Sequence, residues 1–103
     1  MAEKVFIANV SELPLKMGLK VKNGSQTIGI FKLDETTIYA IGNVCPHAQG
    51  PLSEGMVTGH EVICPLHGLH VDLITGKPIN DDTLADVPTY ETVIEDGKLY
   101  IMV

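Results

Sequence analysis

The chain has 103 residues, 45% of them apolar, and a formal net charge of −6 from thirteen carboxylates against seven lysines. That length supports one domain with a modest core and leaves no room for a second independent one. Its acidic balance and scattered lysines argue against nucleic acid as a partner, the lack of arginine removes bidentate phosphate clamps and a twin-arginine export signal, and no apolar run approaches the roughly twenty residues of a membrane span, so a soluble, cytoplasmic protein is expected.

Taken in order, the chain reads as short strands separated by turn chemistry. Val5-Phe6-Ile7 opens the series, a helical turn is expected over Ser11 to Leu13 with Ser11 as its cap and Pro14 ending it, and Leu19-Lys20-Val21 follows. Asn23-Gly24 suits a tight hairpin with positive φ before the run Thr27 to Lys32. Asp34-Glu35 suits a type I turn before Thr37 to Ile41. Met56 to Ile63 reads as one hairpin around Gly59-His60, with Glu61 to Ile63 as its second strand. Thr92 to Ile94 and Lys98 to Met102 close the series around Asp96-Gly97. Each run is too short for a typical helix, and many short strands at regular spacing mean an all-β sandwich or small barrel. The strands before residue 42 and after residue 76 are expected to form the supporting body.

Both cysteines and two of the four histidines fall into one arrangement, Cys45-x-His47 and Cys64-x-x-His67, with sixteen residues between His47 and Cys64. The segments carrying them, 45 to 55 and 64 to 69, are rich in proline and glycine and bracket the hairpin, so folding that ribbon sets the two pairs opposite each other. Residues two apart in extended chain point the same way, and a turn at Pro65-Leu66 does the equivalent for Cys64 and His67. Nothing indicates an oxidising compartment, and metal ligation explains better than a disulfide why each cysteine has a histidine beside it. Two thiolates and two imidazoles suit one zinc ion or a two-iron cluster. A zinc finger ordinarily orders its ligands as a Cys-x-x-Cys knuckle followed by a helical histidine pair; here each loop carries one of each and no helix follows.

Cys-x-His followed by Cys-x-x-His, with ProHis and HisGly flanks, resembles the Rieske [2Fe–2S] motif, and the match covers residues 45 to 72 closely. The resemblance implies a Rieske-type β sandwich or three-sheet fold over 1–103, with a cluster-binding subdomain at about 42–75 inserted into the β body. It implies that Cys45 and Cys64 hold one iron, and His47 and His67 the other, outer one. Two neutral imidazoles in place of two thiolates leave the oxidised cluster formally neutral, which makes electron uptake easier and places the added electron at the solvent-facing histidine side.

In the respiratory branch of that family each loop has an extra cysteine, at positions that look like Gly50 and Leu66 here, and a serine and a tyrosine that donate hydrogen bonds to the cluster sulfurs stand where this chain has Leu69 and Val71. Without a crosslink or hydroxyl donors the expected potential lies near the lower end of the Rieske range, roughly −150 mV. Low potential and small size point to a soluble electron carrier. The phrase CysProHisAlaGlnGlyProLeuSerGluGly, then CysProLeuHisGly and AspLeuIleThrGlyLys, is similar to the small subunit of NAD(P)H nitrite reductase, an enzyme of nitrate assimilation; this implies a large flavin and sirohaem subunit as partner. A ferredoxin that serves the reductase and oxygenase of an aromatic-ring dioxygenase system is the alternative, and a zinc-stabilised binding module is the alternative of another class. No nucleophile with a paired base is visible, so the chain is not expected to catalyse alone.

The remaining candidates read more simply. His60 is expected to be solvated in its turn, and His70 to pack or to contact the site without ligating a metal. Gly50-Pro51-Leu52 and Leu66 are expected to form an apolar rim over the cluster, and Gly68 to let backbone approach it. Gly76-Lys77-Pro78 reads as a third loop or a plain turn, and Asp81, Asp82 and Asp86 as a solvated acidic loop. Net charge serves solubility; electrostatic docking, if it occurs, calls for a basic face on the partner.

Overall fold

A computed structural model describes residues 3–24, 26–44, 51–65, 68–79 and 84–103. Among these lie nine strands: β1 (Lys4–Asn9), β2 (Gly18–Asn23), β3 (Gln26–Asp34), β4 (Thr37–Gly42), β5 (Met56–Thr58), β6 (Glu61–Ile63), β7 (His70–Asp72), β8 (Thr89–Glu95) and β9 (Lys98–Met102). Two 3-10 turns, Val10–Glu12 and Leu52–Glu54, complete the regular structure of the described residues, and no helix is long and apolar enough to cross a membrane. The all-β expectation holds.

All the strand ladders are antiparallel. Six strands form one sheet in the order β1-β9-β8-β4-β3-β2, and β5-β6-β7 form a separate meander. The body is thus made of strands from both ends of the sequence, with the meander contributed by the middle.

β3 and β4 explain why the two parts belong together. Strand alternation sends Ile28, Ile30, Ile38 and Ala40 into one core, where they meet Leu99 and Ile101 of β9, Val10 of the first 3-10 turn and Leu13, which caps that turn. The opposite face sends Phe31 and Ile41 into a second core with Leu52, Val62, Cys64, Leu69, Val71, Leu73 and Val87. Contact between β9 and β3, which are not neighbours in the sheet, requires the sheet to curl over the first core. The curl is concentrated where β8 leaves β4 to pair with β9: their ladder is confined to Ala40↔Tyr90 and Ile41↔Thr89, and beyond it the Thr92 hydroxyl donates to the Ile38 carbonyl at 2.8 Å.

Turn chemistry follows the sequence closely. Asp96 and Gly97 both adopt positive φ, 51° and 71°, as a tight β8–β9 loop demands, and Gly24 and Gly59 do so at 62° and 57°. In the β3–β4 turn the Asp34 carboxylate accepts from the Thr36 amide at 2.9 Å and the Thr36 hydroxyl at 3.1 Å. The Thr36 amide chiefly, with the hydroxyls of Thr37 and Thr36, holds the Asp34 carboxyl below the usual carboxylate range. Its contribution to stability is therefore present at neutral pH and lost as pH falls through that lowered value.

Two details differ from expectation. The first 3-10 turn starts after Asn9, whose backbone amide donates to the Glu12 carboxylate at 3.4 Å, so Ser11 lies inside the turn rather than at its cap. β7 is a strand that sequence pattern does not reveal, because three residues between a loop and a turn are too few to display an alternation.

Glycines separate steric from conformational demand. A Cβ on Gly55 would collide with the Ile63 carbonyl, whereas one on Gly59 meets nothing within 4 Å and is opposed by its positive φ alone. Gly55→Ala is expected to cost on the order of 2 kcal/mol of stability, as overpacking of fixed backbone does, and Gly59→Ala about 1 kcal/mol. Thermal melts of the two variants beside the parent check the order.

Candidate metal centre

The first cysteine-bearing loop is pinned at both ends. Asn43, only 3% exposed, extends β4: its amide donates to the Thr27 carbonyl at 3.0 Å, its side-chain Oδ1 accepts from the Ser53 amide at 2.6 Å, and its carbonyl accepts from the Leu52 amide at 2.9 Å. Val44 bridges to Pro51 beside it. Asn43, through two backbone bonds and one side-chain bond, and the Val44–Pro51 bridge therefore tie together the chain on either side of residues 45–50. Below, Gly18 of β2 lies so close to Ser53 that a Cβ would strike the Ser53 backbone. The absence of a side chain lets the 3-10 turn Leu52–Glu54 sit directly on the sheet, where Leu52 is fully buried.

The second loop is closed in the same manner. The Cys64 amide donates to the Leu69 carbonyl at 2.8 Å, and the Cys64 carbonyl accepts from the Gly68 amide at 3.1 Å. Gly68 has φ +69°, a conformation that glycine adopts without steric cost. These bonds bring residues 64 and 68 together across the Pro65-Leu66 step where the sequence indicates a turn.

A third segment braces β7. Gly76, at φ +77°, donates to the Asp72 carbonyl at 2.8 Å, and its own carbonyl accepts from Val87 at 2.7 Å; a Cβ there would meet the Val87 carbonyl. The Asp72 carboxylate accepts from the Ile74 amide at 2.7 Å, and the Ile79 amide donates to the His70 carbonyl at 2.7 Å. The turn itself lies at Leu73–Thr75, and Gly76-Lys77-Pro78 runs back beside β7, with the Asp72 amide donating to the Lys77 carbonyl at 2.9 Å and Val71 bridging to Pro78, while Gly76 packs on the segment leading into β8.

Of the four expected ligands, Cys64 is placed: it is 1% exposed, within the core that also holds Leu52, Leu69 and Val71. Cys45, His47 and His67 lie outside the described residues, as do Gly50, Leu66, Asp81 and Asp82. Leu52 does not form an apolar rim, because it is wholly buried in the core with Phe31 and Ile41; Pro51 is half-buried, and Val44 and Met56 are the exposed apolar residues on either side of that stretch. His60 is exposed, with Nδ1 3.7 Å from the Asp72 carboxylate. His70 lies half-buried on β7 with Nδ1 2.9 Å from Glu61 Oε1, on the neighbouring strand β6. Asp86 is exposed.

Sequence reading missed Asn43, Gly18 and Gly55. A signal existed for the first, since an asparagine just after an apolar strand and just before a ligand-bearing loop suits a side-chain clamp. The two glycines carry no such signal, because their partners come from distant segments.

Donor chemistry and surroundings fit an iron–sulfur group. Cys64 offers a sulfur ligand inside an apolar shell, its loop is held by backbone bonds, and the neighbouring Leu69 and Val71 carry no hydroxyl. Residues 4–102 match the model of a Rieske-like [2Fe-2S] domain. The chain is 35% identical over 85 residues to the ferredoxin component of the naphthalene 1,2-dioxygenase/salicylate 5-hydroxylase systems of a Ralstonia species, covering 82% of this chain and 79% of that one. It is 32% identical over 101 residues to the 3-phenylpropionate/cinnamic acid dioxygenase ferredoxin subunit of Photorhabdus laumondii, covering 97% and 94%. Its fold superposes on that of a candidate NADH-dependent nitrite reductase small subunit from Mycobacterium tuberculosis with a TM-score of 0.91 at 21% identity, covering 100% of this chain and 96% of that one. Buried thiol, loop closure and family match converge: the chain belongs to the Rieske-like [2Fe–2S] domain family, an electron-transfer ferredoxin whose cofactor is a Rieske-type [2Fe–2S] cluster.

Proposed function

We propose that the chain is the small subunit of an NAD(P)H-dependent nitrite reductase, relaying single electrons within an assembly whose large flavin and sirohaem subunit performs the catalysis. The observation that carries this reading is the wording of the two loops, CysProHisAlaGlnGlyProLeuSerGluGly and CysProLeuHisGly, with proline after each cysteine. The likeness of fold to the candidate nitrite reductase small subunit over the whole chain is compatible with it.

In this reading Cys45, His47, Cys64 and His67 hold the cluster, and residues 1–103 act as one Rieske domain. The meander β5–β7 with its flanking loops is the cluster-binding subdomain, about 42–75. When bound, the cluster supplies a site that accepts and releases one electron. The chain's own contribution is to keep Cys64 dry, to hold the loop stems fixed through Asn43 and Gly68, and to offer no side-chain hydroxyl at Leu69 or Val71. Fewer donors leave the reduced, more negative state less stabilised, which favours a potential near roughly −150 mV.

A second reading is favoured by the curated relatives: the dioxygenase ferredoxins match this chain at 32–36% identity in several systems. In it the chain passes electrons from a reductase to an oxygenase.

Adding the holoprotein to an NAD(P)H nitrite reductase large subunit is expected to stimulate nitrite loss, whereas adding it to a dioxygenase reductase and oxygenase pair is expected to leave ring hydroxylation near background. The reverse pattern selects the second reading. For the ligands, Cys64→Ala is expected to remove iron and the visible absorption together, and His67→Cys to retain a cluster whose potential falls below that of the parent. An unchanged potential in the histidine variant removes His67 from the ligand set. Redox titration of the parent checks the low value, and a potential above zero contradicts it.

A further inference from the structure

Charge is distributed unevenly on this acidic chain. Between Glu12 and Asp34 there is no carboxylate, while four of the seven lysines, Lys16, Lys20, Lys22 and Lys32, fall within that stretch. Lys32 is 3% exposed and occupied inside, donating to the Val10 carbonyl at 2.8 Å and pairing with Glu35 at 3.2 Å. Lys16, Lys20 and Lys22 are exposed, and no described residue forms an ion pair with them.

Their location follows from strand register. β2 is an edge strand, and Gly18 faces Ser53. Alternation therefore points Lys20 and Lys22 to that same face, the side on which the 3-10 turn Leu52–Glu54 rests. Lys22 pairs with Thr27 of β3, and the Thr27 carbonyl in turn binds the Asn43 amide, so Lys22 stands two inter-strand spacings, about 10 Å, from the loop's clamp. Exposed apolar surface, Val44 and Met56, borders the same loop stems. Glu54, exposed beside Ser53, is the carboxylate on the adjoining 3-10 turn.

We propose that this edge, Lys20 and Lys22 with Lys16 beside them, is the docking surface for an acidic face of the protein with which the chain exchanges electrons. The proposal rests on the electron-carrier role and is independent of which redox system is native. It reverses the expectation drawn from net charge alone. Screening at physiological salt shortens electrostatic reach to about 8 Å, so a partner at the loops senses the adjacent lysines more than carboxylates across the molecule. A protein fits better than a polyanion such as nucleic acid or an anionic membrane, because an extended negative surface would also meet the acidic remainder of the chain. Two lysines on an edge strand also discourage strand-to-strand association, so this edge suits side-chain docking rather than sheet extension.

The test uses loaded holoprotein and two double variants of equal net charge, Lys20→Glu/Lys22→Glu on this edge and Lys4→Glu/Lys98→Glu on the β1–β9 side. Unchanged visible absorption and reduction by dithionite in all three establish the carrier role separately. Reduced protein is then mixed with ferricyanide, each chain giving up one electron and one ferricyanide becoming ferrocyanide, and in parallel with hexaamminecobalt(III). At about 0.1 M salt, Lys20→Glu/Lys22→Glu is expected to slow ferricyanide several-fold and speed the cobalt cation, with little change in the β1–β9 variant. In whichever reconstituted reductase system turns over, the same edge variant is expected to raise the apparent KM for the carrier about tenfold at unchanged kcat, a loss that grows as salt is lowered and shrinks as added salt screens the new repulsion. Equal behaviour of the two variants overturns the proposal. So does binding to a DNA duplex or to phosphatidylserine vesicles that the edge variant alone loses.

Discussion

The structure depends on a sheet that is apolar on both faces. β3 and β4 bury Ile28, Ile30, Ile38 and Ala40 on one side and Phe31 and Ile41 on the other, so the same two strands close the barrel-like body and provide the floor of the metal-bearing part. The meander cannot supply such a floor itself. Its three strands have three residues each, and isolated ribbons of that size are marginal in water. Phe31 and Ile41 let Leu52, Cys64, Leu69 and Val71 be buried together, so the residue proposed as a sulfur ligand is also a core residue. In that proposal, positioning of the ligand and stability of the fold are one property, since displacing Cys64 would open the core.

Upon that floor, backbone hydrogen bonds do the positioning. Each cysteine-bearing loop leaves regular structure and would strand amides and carbonyls were its stems not paired. Asn43 answers for the first loop with three bonds, and the Cys64–Gly68 and Cys64–Leu69 pairs answer for the second. The third segment, through Asp72 and Gly76, fixes β7 from behind. The apolar lining acts electrostatically: with Leu69 and Val71 near Cys64, added negative charge finds little side-chain compensation.

How much of this was legible varied with the physics behind each element. β9, β6 and the body strands were readable because β-branched runs ended in turns that glycine and aspartate specify, and the Asp96-Gly97 loop has the positive φ values that its sequence demands. β7 was not readable, since its pairing with β6 is imposed by the fold rather than by an alternation of its own. Leu52 was misjudged as rim: proximity to a ligand in sequence says nothing about which side of the loop faces the floor, and that is decided by Gly18 and Phe31, far away in the chain. The kind of centre was legible from four residues and their spacing, though only Cys64 among them lies within the described residues. The partner was not legible in those four residues, because loops that hold an electron-carrying group do the same work for any protein that receives the electron.

Net charge was the least informative number in the sequence, and the reason is geometric. Thirteen carboxylates give the chain its sign, but strand order gathers positive residues along β2, an edge strand of the sheet and the one lying beneath the 3-10 turn Leu52–Glu54. A carrier has to bind, pass one electron and leave, so its contacts favour small interfaces, typically under about 1,200 Å² in total, with charge chiefly setting orientation and encounter rate. A short lysine edge answers that demand without adding apolar area that would slow release. The same edge strand needs lysines for a second reason, to keep its unpaired amides and carbonyls from recruiting another copy. One pair of residues thus meets a requirement of folding and a requirement of electron exchange, which is why neither use is visible until the strand order places them beside that turn.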